Sequence, residues 1–160
     1  GSYLSGGEEN FFNIPLSWSL FLNGNQTGDI VELRNLLEVK AAGLAASCMN
    51  QEKINKLEEV AMRMQFSVET KNYKEFLQDD VVFHTCIAEC SGNQVIFNML
   101  QTIRNFMKHI SQTGMVDELQ LEEIYKEHKM VYSAIREQNA DLAEKAMNVH
   151  MQKSSKRYNY

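Results

Sequence analysis

One hundred and sixty residues with a formal charge of −5 and a pI near 5.4 suit a single acidic domain, which excludes a chain that grips a nucleic-acid backbone by bulk electrostatics. Aliphatic and aromatic residues make up 44% of the chain and charged residues 23%, a globular balance that excludes extensive disorder. No apolar run approaches the ~20 residues of a membrane span, no signal-peptide order opens the chain, and three cysteines without zinc-knuckle spacing fit a reducing cytoplasm better than a disulfide scaffold.

Residues 1–12 lack periodicity: Gly1-Ser2 looks like a tag-cleavage scar and the rest like a linker remnant, so the folded domain is expected over 13–160. Pro15 is the only proline, and helical periodicity runs through nearly everything after it, which predicts an all-α bundle. A short apolar helix follows Pro15 and ends at Asn23-Gly24-Asn25. Thr27-Gly28-Asp29 caps a long helix to about Cys48, with Ile30, Leu33, Leu37, Ala41, Leu44 and Ala45 at spacings of three and four. A third starts at Asn50, and Thr70-Lys71-Asn72 separates it from a fourth over about Tyr73–Glu89. Ser91-Gly92-Asn93 breaks that helix before a fifth, from Gln94 to about Ser111. The last two, about Asp117–Glu137 and Ala140–Lys156, meet at Gln138-Asn139. Seven helices, six of them long, joined by short loops predict antiparallel packing. The nine methionines read as adaptable core filler, and Cys86 and Cys90 as small core residues.

Within the fourth helix, Asp80 and His84 stand four residues apart and leave the same face. His128 lies eleven residues before Asn139 and His150 eleven after it, so in an antiparallel hairpin both sit ~16 Å from the turn, at one height. Both also fall on apolar stripes. Three inward imidazoles and a carboxylate are costly to bury unless something satisfies them, and a divalent cation does so directly. One oxygen and three nitrogens suit zinc first, with nickel, cobalt, manganese or iron also acceptable. Four protein ligands on a six-coordinate ion leave positions open for water or a carboxylate. Asp79 is rotated 100° from Asp80 and is the poorer ligand. His109, near the end of its helix, is left out of the site.

Enzyme signatures are sparse. The chain has no His-Glu-x-x-His, no paired Glu-x-x-His, no His-Asp dipeptide and no glycine-rich phosphate loop, and nothing pairs a Ser or Cys with a base and an orienting acid. Two alternatives to a metal-dependent sensor stay open: a helical metalloenzyme that activates water at the same residues, and a metal-free bundle that binds an acyl or apolar ligand.

The long helix Asp29-Ile-Val-Glu-Leu-Arg34-Asn-Leu-Leu-Glu38, then Asp80-Val-Val-Phe83-His84, Ser91-Gly92-Asn93, Glu127-His128 and Ala146-Met-Asn-Val-His150 together resemble the FadR-type C-terminal (FCD) domain of GntR-family transcription regulators. The resemblance covers about residues 14–157. It implies an antiparallel bundle with seven helices, a metal on Asp80, His84, His128 and His150, and a small carboxylate effector held partly through that metal. It also implies a homodimer, and a winged-helix DNA-binding domain N-terminal to this segment through which alone the regulator touches DNA. Arg34 matches a family Arg that could pair with the effector carboxylate, although a salt bridge to Glu38 accounts for it equally well. Asn93 matches a family Asn, and a helix cap is its simpler role. Arg104 is an effector-contact candidate from its position on the fifth helix.

Overall fold

The computed structural model describes residues 27–110 and 120–157. They form α1 (Thr27–Ser47), α2 (Gln51–Glu69), α3 (Tyr73–Cys90), α4 (Gln94–Ile110), α5 (Leu121–Arg136) and α6 (Ala140–Arg157). The fold is all-α, as expected, with no strand among the described residues. The short helix expected after Pro15, with Trp18, Leu20 and Phe21, lies outside those residues. No helix is long and apolar enough to cross a membrane.

Asparagine starts four of the helices. The Asn50 side chain accepts from the Lys53 amide at 2.9 Å and Asn72 from that of Glu75 at 3.3 Å. Asn93 accepts from both Val95 and Ile96, and Asn139 from Leu142. Each satisfies amides that the first helical turn leaves unpaired. The α2–α3 and α5–α6 connections share one C-terminal device. Asn72 N–H reaches back to the Ser67 carbonyl (2.8 Å) and Lys71 N–H to Val68, while Asn139 N–H reaches Ala134 (3.0 Å) and Gln138 N–H reaches Ile135. Both are Schellman closures, and they place Lys71 and Gln138 at φ 55° and 56°. The tight Gln138-Asn139 turn predicted from sequence is the second of them.

α1 is the central helix. It packs most extensively along α6 and also meets α3, α4 and α5. Ile30, Val31, Ala41, Ala42, Ala45 and Ala46 are all buried, whereas Leu33, Leu37 and Leu44 of the expected stripe are only partly covered. A helix surrounded by four others buries residues around its circumference, so a single stripe describes it poorly. Its small residues allow α6 to approach closely. A side chain at Gly43 would meet Glu144 Cγ at 2.6 Å.

The main core joins α1 to α2, α3, α5 and α6 through fully buried Leu57, Met64, Phe76, Phe83, Ile87, Ile135 and Met147, each contributing roughly 1.5–3 kcal/mol by burial. A smaller cluster of Ile30, Val31, Ile103, Phe106 and Met107 joins α1 to α4. Cys86 and Cys90 are buried free thiols and Cys48 is exposed. The methionines divide: Met64, Met107, Met147 and Met151 are core, but Met62 and Met130 are 63% and 59% exposed, so core filling does not explain those two.

Candidate metal centre

Asp80 and His84 come from α3, His128 from α5 and His150 from α6, and one ligating atom from each lies within 4.8 Å of the others. The imidazoles are buried; Asp80 keeps 28% of its side chain exposed and is the cluster's contact with solvent. The hairpin argument from Asn139 corresponds to what is observed, since the His128 and His150 ring centroids stand 4.3 Å apart. Phe83 and Phe76 meet His128 edge-on, at 5.0 and 6.2 Å. These fully buried rings form an apolar wall behind the polar atoms.

A neutral imidazole carries its proton on one nitrogen, and the hydrogen bonds around the cluster decide which. His84 Nδ1 lies 3.0 Å from Glu38 Oε2, His150 Nδ1 2.9 Å from Glu127 Oε2, and His128 Nδ1 2.8 Å from the Ile124 carbonyl. A carbonyl or an ionised carboxylate only accepts, so each neutral ring donates from Nδ1 and turns a bare Nε2 lone pair inward. The consequences are visible. His84 Nε2 and His150 Nε2 face each other at 3.2 Å. His128 Nε2 stands 2.9 Å from Asp80 Oδ1, close enough for an ion pair, yet it makes no hydrogen bond because its ring's proton is committed to Ile124. Three lone pairs and a carboxylate oxygen thus converge with no hydrogen between them. A cation meets that demand, and imidazoles held by outer carboxylates are the arrangement metal sites use.

Sequence reasoning missed those outer carboxylates. Glu38 is fully buried on α1, where it accepts from His84 and from Arg104 Nη2 at 2.7 Å, with Arg34 Nε at 3.8 Å. Burial acts to raise its pKa, but His84 and Arg104 outweigh this and hold it well below the carboxylate range. Glu127 on α5 accepts from His150 and is clamped by Arg157 at 2.9 and 2.7 Å. Burial is opposed there by Arg157 and then His150, and the carboxyl falls to about 2. His150 is lowered to about 3, chiefly by burial and next by His128, so it stands neutral, the form that ligates. The missed signal was an acid on an apolar stripe: Glu127 shares one with Ile124, Val131 and Ala134, and Glu38 with Ala41, Ala42 and Ala45.

The remaining candidates take different places. Arg104 is buried, with Nη1 donating to Thr85 at 2.9 Å and Nη2 to Glu38, while its Nε finds no partner. Arg34 makes the long contact to Glu38 and a 3.9 Å contact to Met107 Sδ, and its Nε is also without a hydrogen bond. Both guanidinium groups thus gather about Glu38, behind His84. Asn93 spends its side-chain oxygen capping α4. Asp79 turns away from the cluster to Arg63 (2.9 Å), in a groove between α2 and α3.

The chain matches the FCD domain family model over residues 29–153. It is 25% identical over 156 residues to the HTH-type transcriptional regulator LutR of Bacillus subtilis, covering 94% of this chain and 70% of that one. The galactonate operon transcriptional repressor of Escherichia coli is 26% identical over 127 residues, and the HTH-type transcriptional repressor RspR of E. coli 21% over 123, covering 79% and 77% of this chain. The chain spans 55% and 54% of those two relatives. Among solved structures, Streptococcus agalactiae GntR superposes with a TM-score of 0.73 at 29% identity, over 91% of this chain and 65% of that one. E. coli McbR/YncC gives 0.74 at 16% identity, over 84% and 68%, a likeness of fold alone.

Proposed function

This chain belongs to the FCD domain family of GntR-type regulators, and from that premise we propose that it senses a small carboxylate metabolite through a divalent metal held by Asp80, His84, His128 and His150. The observation that carries this reading is the inward convergence of three Nε2 lone pairs on one carboxylate oxygen. A metal ion bound there would supply a positive charge and an open coordination position for the effector's carboxylate. Zinc fits the donor set best, with nickel, cobalt, manganese and iron as alternatives.

The chain's own residues do the rest. Glu38, Glu127 and the Ile124 carbonyl keep each ring in the ligating tautomer, and the Phe83 and Phe76 wall limits water. Asp80, the partly exposed member, marks the side from which an effector enters. Three carboxylates here (Glu38, Asp80, Glu127) balance three guanidinium groups (Arg34, Arg104, Arg157). A divalent cation therefore adds an excess positive charge, and an anion of one or two charges relieves it. Arg34, whose Nε makes no hydrogen bond and only a 3.8 Å contact to Glu38, is the second anchor we assign to the effector. Arg104 and Asn93 contribute by holding Glu38 and the start of α4. In the full-length regulator the signal would pass, in a dimer in the cytoplasm, to an N-terminal winged-helix domain that binds DNA.

The test begins with metal analysis of protein purified without chelator, where close to one equivalent is expected. Less than about a tenth, with no stabilisation by added zinc or nickel, would overturn the metal reading. A thermal-shift screen of small hydroxy and sugar acids follows, with galactonate included because one relative is named for that operon. A carboxylate that stabilises the metal-loaded protein, does nothing after chelation and is recovered unchanged supports the sensor.

A further inference from the structure

The metal cluster reaches the last turn of α6 through a buried relay. Glu127 Oε2 accepts from His150 Nδ1 at 2.9 Å and from Arg157 Nη2 at 2.7 Å, while Arg157 Nη1 holds Oε1 at 2.9 Å. One oxygen is thus shared between a proposed ligand and a guanidinium two helical turns further along α6. Glu127 is 5% exposed and the Arg157 side chain 12%. Lys153 adds a contact from the exposed rim at 3.4 Å.

We propose that Arg157 is a positioning residue for His150, and that metal occupancy is thereby coupled to the anchoring of the α6 C-terminal turn. The inference rests on the metal reading above. Forked pairing with Arg157 leaves the Glu127 carboxylate one orientation, and in that orientation it accepts His150 Nδ1–H and aims the ring's Nε2 inward. Without the fork the carboxylate can rotate about its terminal torsion, and His150 loses the partner that fixes its ring plane. In the other direction, a cation on Nε2 draws electron density from the imidazole and strengthens the Nδ1–H···Oε2 bond. That restrains the same carboxylate to which Arg157 is tied. Linkage requires the two effects to be equal: whatever factor Arg157 contributes to metal affinity, metal returns to the docking of the last turn. A turn whose order follows the occupancy of a buried site is a means of passing the signal out of the bundle.

The experiment uses zinc as the probe and two readouts: affinity by competition with a chromophoric chelator, and amide hydrogen exchange over residues 152–157 with and without zinc. For the unaltered chain, zinc is expected to slow exchange in that turn. Arg157→Met is expected to weaken zinc binding ten- to hundredfold and to abolish the zinc-dependent slowing; its chelated melting temperature falls because buried Glu127 loses its charge partner, so retained helix content is the fold control. Arg157→Lys keeps a cation without the fork and is expected to fall between the two; it also serves as the test variant should the methionine form fold poorly. Zinc binding equally tight in Arg157→Met, or exchange in the last turn indifferent to zinc, overturns the coupling while leaving the metal site standing. An unaltered chain that takes up no zinc overturns the metal reading itself.

Discussion

Each histidine of the cluster is engaged on one side and bare on the other, and Asp80 shows what this does to the metal-free protein. Its carboxylate lies 2.9 Å from His128 Nε2, and with that ring neutral and its one proton on Nδ1 toward Ile124 two electron-rich atoms are held together by the surrounding fold. An amide in the same place could turn its NH2 toward that lone pair and gain a hydrogen bond, about 0.5–1.5 kcal/mol net. Asp80→Asn is therefore expected to leave the chelated protein as stable or more so, while zinc affinity drops at least tenfold; urea denaturation and chelator competition read the two. A variant that loses stability without zinc and keeps its zinc affinity would mean that Asp80 is structural. The convergence of Asp80, His84, His128 and His150 was legible in the sequence because four-residue spacing and equal distance from a turn are both geometric statements. Glu38 was not legible because a glutamate with Arg34 one turn away reads as a surface pair, and Glu127 because it lies between Lys126 and Lys129 and its partner Arg157 is on another helix. Only the three-dimensional arrival of Arg104 and Arg157 makes their burial tolerable.

At the scale of the helices, stability turns on how each one ends. Lys71 and Gln138 both adopt left-handed backbone to close their Schellman turns, a conformation costing roughly 1–2 kcal/mol for a residue with a Cβ and nothing for glycine. Because glycine also loses more chain entropy on folding, the net gain is smaller than the strain removed. Lys71→Gly and Gln138→Gly are each expected to stabilise the domain by about 0.5–1 kcal/mol, additively because the two turns share no partner. Thermal unfolding that falls rather than rises in both variants would contradict this. Helix order and boundaries were readable because Asn50, Asn72, Asn93 and Asn139 stand at starts and the periodicity between them is long. The packing of α1 was not: its alanines and Gly43 reflect contact with four neighbours, and no single-face pattern encodes that.

For the whole molecule, the cluster makes the fold's stability a function of protons, and of metal too if the proposed site is filled. Five of the six described helices supply a group to it: Asp80, His84 and Thr85 from α3, His128 and Glu127 from α5, His150 and Arg157 from α6, Glu38 and Arg34 from α1 and Arg104 from α4. Protonating it therefore strains the bundle as a unit. His150 is lowered from 6.5 to about 3 in the fold, so between those values the unfolded chain binds a proton that the folded one refuses. Stability then rises with pH through that window and is lost on acidification. Glu127, lowered from 4.5 to about 2, contributes stability that is complete above pH 4.5 and disappears as pH falls towards 2. Both signs agree, and from pH 7 to 5 His150 supplies the change, about 2 kcal/mol for 1.5 units below its unfolded value. Chelated protein is expected to show that loss in urea unfolding at the two pH values. Zinc at saturating concentration should enlarge it, because acid also displaces the metal and removes its RT ln(1 + [L]/Kd) contribution. Chelated protein equally stable at pH 5 and pH 7 would show that His150 takes its proton in the fold as readily as in the unfolded chain, and that burial does not hold it neutral.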